Sequence, residues 1–206
     1  MLGLPRQTMI SPTGNSLLLR RRGFLAGIAG LALCGVGRTA GAQARLGDDG
    51  LYHMDWYVES FLDMTEDLAD AAAAGKRFAV MWGLRGCPAC RQMHEVHLSK
   101  PEIAGYVRDN FAVLHLNILG LREVTDFDGT KLPEKTFAAK YGVRSTPTIQ
   151  FFPTAAGGLA SRPPAAREVA RMANLPAPAE FLALFQYVRA QGYEAGSFAS
   201  WRLRNS

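Results

Sequence analysis

The sequence predicts an α/β domain, because strand-like and helix-like runs alternate along most of the chain. The strand-like runs are short, apolar and rich in branched or aromatic residues, and they cover 78–82, 111–118, 143–152 and 167–173. The helix-like runs carry apolar residues at helical spacing and cover 55–74, 91–98, 103–109, 133–141 and 179–190. Two cysteines, Cys87 and Cys90, lie between the first strand and the second helix.

Two cysteines separated by two residues, on a turn from a strand to a helix, are typical of a reversible dithiol/disulfide. If Pro88 is the first helical residue, Cys87 lies at the helix start beside unpaired backbone N–H groups. These groups and the partial positive charge of the helix end favour a thiolate, and Arg85 and Arg91 add positive charge. The sequence therefore predicts Cys87 as the nucleophile and Cys90, one turn further in, as the resolving thiol.

Metal binding is the alternative interpretation of the cysteine pair, because the same spacing supplies half of many zinc sites. The second half would need another suitably spaced cysteine or histidine pair, and the remaining cysteine, Cys34, lies in the N-terminal segment. A copper carrier using Cys87, Cys90 and His94 is a rival of a different class. His94 lies about two helical turns from Cys87, which disfavours joint ligation on a regular helix. We therefore expect no metal and no cofactor.

The first 44 residues read as an export signal. The string Arg21-Arg22-Gly23-Phe24-Leu25 resembles a twin-arginine motif, and the apolar run 24–37 that contains its end is too short to span a bilayer comfortably. Ala42-Gln43-Ala44 offers a small-x-small cleavage pattern before Arg45. We expect a signal peptide over 1–44 and a periplasmic mature protein. The Sec route and an uncleaved anchoring helix remain alternatives.

Charge distribution argues against a nucleic-acid partner. The whole chain has 23 basic and 18 acidic residues, a formal net charge of +5. Residues 1–44 contain five arginines and no acid, so the remainder has 23 − 5 = 18 basic against 18 acidic residues. A formally neutral mature chain lacks the electrostatic excess that nucleic-acid binding requires.

The rest of the chain divides into a linker over 45–54, one domain over 55–192 and a C-terminal extension over 193–206. The first helix has an uncertain start between Tyr57 and Thr65, and its apolar stripe includes Phe61. In the extension, Phe198 and Trp201 have helical spacing, which indicates a short packed helix or, alternatively, a partner contact.

The segment 119–132 is polar and contains the turn signal Asp126-Phe127-Asp128-Gly129. Its acids suggest calcium, but the loop lacks the full ligand series and the closing glutamate of a calcium loop. We therefore expect a plain turn.

A proline before the third strand is informative, because an X-Pro bond in that place is a common location for the rare cis isomer. The order of landmarks, an apolar strand ending in C-x-x-C, a helix and strand, then Thr146-Pro147-Thr148, resembles the thioredoxin superfamily from about Trp56 to Gln191. Several strings further resemble SoxW-type periplasmic thioredoxins of sulfur-oxidation systems. These strings cover 87–96, 116–118, 122–129 and 141–148.

The resemblance implies a thioredoxin-like fold, with a central mixed sheet flanked by helices and a cis Thr146–Pro147 bond facing the dithiol. The backbone of Thr146 would pair with an extended client segment while Cys87 attacks the client's disulfide. The implied partners are disulfide- or thiol-bearing periplasmic proteins and a membrane electron-transfer protein that reduces the oxidised form. We expect a soluble monomer that acts as a reductant. If the exchange reaction ran in the opposite direction, the same residues would make the protein a disulfide donor or isomerase.

Two features depart from the archetype. Met81 stands where archetypal thioredoxins carry a buried aspartate that accepts the proton of the resolving thiol, and the central dipeptide is Pro-Ala instead of Gly-Pro. His94 lies four residues beyond Cys90 and so on the same helix face. We hypothesise that His94, or its neighbour Glu95, accepts the proton of Cys90. The alternative is that water does so.

Overall fold

The computed structural model describes residues 44–205, and its centre is a four-stranded mixed sheet. The strands, in chain order, are β1 (Arg45–Leu46), β2 (Tyr52–His53), β3 (Arg77–Gly83), β4 (Phe111–Asn117), β5 (Glu123–Thr125), β6 (Lys131–Pro133), β7 (Thr148–Phe151) and β8 (Ala170–Met172). The central sheet has the order β4-β3-β7-β8, with β3 parallel to β4 and the other two pairs antiparallel. The α/β fold with a mixed central sheet is therefore confirmed.

Within residues 44–205, six α-helices surround or follow the sheet. They are α1 (Met64–Ala73), α2 (Pro88–Gln92), α3 (Pro101–Asn110), α4 (Glu134–Lys140), α5 (Pro178–Arg189) and α6 (Phe198–Arg204). A π-helical turn, Met93–His97, continues α2 directly. The predicted helix over 91–98 thus begins three residues earlier, because Pro88 fits the first helical position, and it changes to a wider winding after Gln92.

Alternate residues of β3 build two separate cores. Phe78, Val80 and Trp82 face a cluster that includes residues of α1 and α4. Ala79 and Met81 face the opposite cluster, with residues of the π-helical turn, α3 and α5. Because successive side chains of a strand point to opposite faces, one uninterrupted apolar run serves both helical layers. The dithiol follows β3 at the end of this doubly buried strand.

Helix α1 begins at the late end of the predicted range, and the expected place of Phe61 on its buried stripe is wrong. Asp63 caps the helix, since one carboxylate oxygen accepts hydrogen bonds from the backbone N–H groups of Thr65 and Glu66. Leu62 has a φ of 64°, which turns the chain away from helical geometry just before the cap. Phe61 consequently lies outside the helix and is 99% exposed.

Residues 45–54, which we expected to form a linker, instead form an ordered hairpin. Strands β1 and β2 pair in antiparallel register, and Leu51 between them is buried. The guanidinium of Arg85 donates to the carbonyl of Asp48 at the hairpin turn. This segment therefore belongs to the surroundings of the dithiol. The predicted signal peptide, apart from Ala44, lies outside the described residues, and within 44–205 no helix has the length and apolarity to cross a membrane.

The polar segment after β4 is also more regular than expected, because β5 and β6 pair as a hairpin around the Asp126–Gly129 turn. Both turn carboxylates are neutralised by cations from elsewhere. Asp126 accepts from Arg167 at 2.8 Å, and Asp128 accepts from Arg167 at 2.9 Å and from Lys140 at 2.7 Å. With two carboxylates already matched by two side-chain cations, the turn is a structural ion cluster.

The C-terminal extension forms α6 and packs on the domain. The rings of Phe198 and Trp201 lie 5.4 and 5.8 Å from the ring of Tyr187 on α5, measured between centroids. Packing, the favoured interpretation of the aromatic spacing, is what the structure shows.

The ion cluster generates a stability prediction. Arg167 is 3% exposed and Asp126 has a fully buried side chain, so Arg167→Met would leave a buried carboxylate with one cation fewer. We expect the free energy of unfolding to fall by about 3 kcal/mol, as for other broken buried pairs. Urea denaturation would measure it. Arg108→Met, at the exposed Arg108–Asp109 pair, is the matched control and should cost far less, because water screens an exposed pair. Equal losses for both variants would contradict a special role for the cluster.

Candidate redox site

The turn between β3 and α2 places the first cysteine at a helix start. Gly86 has a φ of 73°, a left-handed conformation that glycine adopts without strain, and it redirects the chain after the strand. Cys87 then takes the N-cap position and Pro88 the first helical position. The chain therefore presents the Cys87 side chain at the helix start, as the spacing predicts.

The two cysteines are joined as a disulfide, with their Cα atoms 5.3 Å apart. They differ in access, since Cys87 is 8% exposed and Cys90 is 3% exposed. A client sulfur approaching from solvent therefore meets Cys87 first. This asymmetry matches the roles of nucleophile and resolving thiol that the sequence predicts.

Hydrogen-bond donors converge on the sulfur of Cys87. The backbone N–H of Cys90 donates to it at 3.1 Å, and the hydroxyl of Thr146 donates to it at 3.3 Å. Donors to a sulfur favour its ionised form once the disulfide is opened. Within the described residues neither predicted cation donates to this sulfur, because Arg91 pairs with Glu95 and Arg85 binds a hairpin carbonyl. Direct stabilisation of a Cys87 thiolate thus comes from the two hydrogen bonds.

The segment before β7 lies against the dithiol. The Thr146–Pro147 peptide bond is cis and Pro147 is buried. The carbonyl oxygen of Thr146 lies 3.5 Å from the sulfur of Cys87. Four of the five predicted site residues, the two cysteines, Thr146 and Pro147, are therefore brought together by the fold.

The fifth, His94, is placed differently from the hypothesis. Its ring is fully buried, Nδ1–H donates to the carbonyl of Cys90 at 2.8 Å, and Nε2 accepts from the hydroxyl of Tyr57 at 2.8 Å. Since a carbonyl only accepts, this bond assigns the proton to Nδ1. Burial lowers the pKa of His94 to about 4, so the ring is neutral at pH 7. Neither nitrogen is directed at the Cys90 sulfur, so direct proton transfer would require one of these bonds to break.

The wall behind the dithiol is formed by the side chains of Tyr57, Met81, His94 and His115, and none of them is charged at pH 7. The hydroxyl of Tyr57 lies 3.0 Å from Met81 Sδ as well as next to His94, and burial raises the pKa of Tyr57 well above its ordinary value. The rings of Tyr57 and His115 lie 5.3 Å apart, and burial lowers the pKa of His115 well below its ordinary value. A Cβ at position 83 would lie 2.6 Å from His115 Nε2, so only glycine at this position leaves room for the His115 ring.

The comparison with protein families agrees with this geometry. The family model for a thioredoxin-like domain matches residues 64–189, which include the dithiol and the cis proline. The chain belongs to the thioredoxin-like family. No curated protein matches this chain.

Solved structures with a thioredoxin fold are also similar to this thioredoxin-like chain. A thioredoxin-fold protein from Helicobacter pylori has 17% identity and a TM-score of 0.49, with 64% of this chain and 87% of that chain covered. A thioredoxin from Thermus thermophilus has 27% identity and a TM-score of 0.47, with coverage of 66% and 90%. A poplar thioredoxin h mutant has 14% identity and a TM-score of 0.40, with coverage of 70% and 92%.

The sequence did not reveal the residues that form the wall of this thioredoxin-like site. Tyr57 and the ordered hairpin come from a segment before α1, and His115 comes from β4. The one available signal was the position of His115 in a strand, but its closeness to Met81 depends on the β3–β4 register, which pairs these two residues. Register between distant strands is a tertiary property.

Metal binding gains no support from the described part of the chain. Between residues 44 and 205, no group of three or more histidine, cysteine or acidic side chains is arranged to hold a metal ion. His94, the imidazole proposed for copper, uses both nitrogens in hydrogen bonds to Cys90 and Tyr57.

The buried His94 generates a pH prediction. Its pKa falls from 6.5 to about 4 on folding, so at pH values between these two the unfolded chain binds more protons at this residue than the folded chain does. Stability from this group is present above about pH 6.5 and is lost as the pH falls towards 4. In His94→Gln we expect the loss of unfolding free energy over that interval to shrink by up to about 3 kcal/mol.

Urea denaturation at several pH values would measure the change. His115, also neutral and buried, should leave part of the slope in place in His94→Gln. An unchanged slope in the variant would show that His94 does not titrate differently in the folded and unfolded chain.

Proposed function

We propose that this thioredoxin-like protein is a periplasmic thiol–disulfide oxidoreductase that reduces disulfides of client proteins in a sulfur-oxidation or related pathway. One observation carries the chemical part of the proposal. The sulfur of Cys87, the more accessible of the pair, receives hydrogen bonds from the Cys90 N–H and the Thr146 hydroxyl. A sulfur so placed is a nucleophile in the reduced protein and the point of attack in the oxidised protein.

The reaction proceeds in two exchanges. The Cys87 thiolate attacks one sulfur of the client disulfide, a mixed disulfide forms, and the other client sulfur leaves as a thiolate and takes up a proton. Cys90 then loses its proton and attacks Cys87, so the internal disulfide closes and the second client sulfur leaves. Two electrons pass from the dithiol to the client. A fold that holds the Cα atoms of the pair 5.3 Å apart needs no large movement for closure.

Client docking is assigned to the segment that ends at the cis proline. Thr146 is partly exposed, and its carbonyl lies 3.5 Å from the Cys87 sulfur. An extended client segment that pairs with this backbone would bring its own cysteine to Cys87. Strand addition of this kind supplies affinity through main-chain hydrogen bonds without requiring one client sequence.

Location and pathway are supported by the sequence. The twin-arginine-like string at Arg21-Arg22 and the cleavage pattern at Ala42–Ala44 favour export to the periplasm. The strings that resemble SoxW-type thioredoxins favour a sulfur-oxidation setting and a thiol-bearing client. After each turnover the oxidised protein needs two electrons, and we assign their supply to a membrane electron-transfer protein.

Cysteine variants test the proposed chemistry. Cys87→Ser should abolish reduction of a model protein disulfide, because the attacking sulfur is removed. Cys90→Ser should form the mixed disulfide but fail to release it, since the resolving sulfur is missing. Non-reducing electrophoresis and intact mass spectrometry would detect the trapped adduct. Reduction at an undiminished rate by Cys87→Ser would overturn the assignment of the nucleophile.

The reduction potential tests the direction of exchange. A reductant should equilibrate with glutathione or dithiothreitol at a potential near that of thioredoxin, about −270 mV. A value near about −120 mV, typical of a strong periplasmic oxidant, would instead identify a disulfide donor. Alkylation of the dithiol across a series of redox buffers would give the value, and the two outcomes are far enough apart to be distinguished.

A further inference from the structure

The two segments that frame the dithiol are positively charged. Residues 84–92 contain Arg85 and Arg91, residues 142–147 contain Arg144, and neither segment contains an acid. All three arginines are exposed. The chain after residue 44 is formally neutral, so this local excess is balanced elsewhere, in part by the acidic first turn of α1. Positive charge therefore lies in both segments beside the redox site.

The three arginines differ in how far their charge is compensated. Arg91 forms a 2.7 Å ion pair with Glu95. Arg85 donates to the backbone carbonyl of Asp48, an uncharged acceptor. Arg144 has no side-chain hydrogen bond and no ion pair within the part of the chain that the structure describes. It lies two residues before Thr146, whose hydroxyl contacts Cys87. Among the described residues, Arg144 is therefore a cation without a side-chain partner, next to the docking backbone.

The segment that carries Arg144 is held at its start by a neighbouring strand. The guanidinium of Arg171 donates to the carbonyl of Tyr141 at 2.6 Å and to that of Gly142 at 3.4 Å. Arg171 is itself paired with Glu168, which accepts from the side-chain amide of Gln150 in β7.

A second arginine, Arg167, also anchors Tyr141, because its guanidinium donates to the Tyr141 hydroxyl at 3.1 Å. At the other end, Pro147 is buried and Thr148 begins β7. With both ends fastened, binding a client orders little additional backbone.

We propose that residues 142–147 form a positively charged docking edge that selects client segments with an acidic residue close to the reactive cysteine. The inference deepens the proposed function and rests on it. Alternate residues of an extended segment face the same side about 7 Å apart, so an acid within about two residues of the client cysteine would reach Arg144 when that cysteine lies at Cys87. Because the pair forms at a solvent-exposed edge, selection should be severalfold and sensitive to salt.

Two disulfide-bridged peptides test the proposal. They are identical except that glutamate or lysine flanks the reactive cysteine. At about 50 mM salt the full reduced protein should reduce the glutamate peptide with a kcat/KM about three- to tenfold higher, and the ratio should approach one near about 0.5 M salt. Arg144→Glu should remove or invert the preference, Arg144→Lys should keep it, and the exposed control Arg162→Glu should retain the wild-type ratio.

The outcomes separate this proposal from the one it rests on. Equal kcat/KM values for the two peptides, with exchange still dependent on Cys87, would overturn the docking edge and leave the oxidoreductase assignment intact. Loss of Cys87 dependence would overturn the oxidoreductase assignment itself. Urea denaturation of each variant shows whether it is folded, and Arg144→Gln provides a second variant without reversed charge. A preference that persists in both Arg144→Glu and Arg144→Gln would also overturn the proposal.

Discussion

The contact between the start of α2 and the cis-proline segment is the constraint on which the site depends. The Cys87 sulfur receives one hydrogen bond from its own helix and one from Thr146, fifty-nine residues later in the chain. The first bond follows from local capping geometry. The second exists only because β7 pairs beside β3 in the register that sets Trp82 opposite Thr148. The sulfur that we propose as the nucleophile is thus positioned by two elements far apart in the chain.

The rest of the molecule fixes these two elements. The alternating faces of β3 bind a helical layer on each side of the sheet, so the strand that leads to Cys87 is anchored on both faces. Arg167 and Arg171 hold the chain around Tyr141, from which the cis-proline segment starts. Buried polar groups with complete sets of partners favour one arrangement over others, which suits a site that needs its donors placed within fractions of an ångström.

The neutral wall behind Cys90 distinguishes this site from one with a buried carboxylate. Tyr57, Met81 and a neutral His94 occupy the space, and no ionised group among them repels a thiolate at Cys90. The hairpin of β1 and β2 adds the ring of Tyr52, stacked 5.8 Å from the ring of His94. Shielding by this hairpin contributes to the burial that keeps the imidazole uncharged. The residues immediately before the main domain therefore influence the redox site.

Local signals in the sequence were sufficient for the α/β class, the central strands, the strand–turn–helix that carries Cys87 and Cys90, and the proline at 147. Each depends on residues close together in the chain, such as a residue that caps a helix or apolar residues at regular spacing. Packing decided the ion cluster at Asp126 and the contact of His94 with Tyr57, because each depends on contacts between segments far apart in sequence. The exposure of Phe61 and the hairpin over 45–54 follow from local geometry that the sequence analysis did not predict, namely the Leu62 turn with the Asp63 cap and the β1–β2 pairing. Helical spacing correctly placed His94 on the face of Cys90. The carbonyl of Cys90, four residues away, binds Nδ1, whereas Tyr57, brought there by the tertiary structure, binds Nε2.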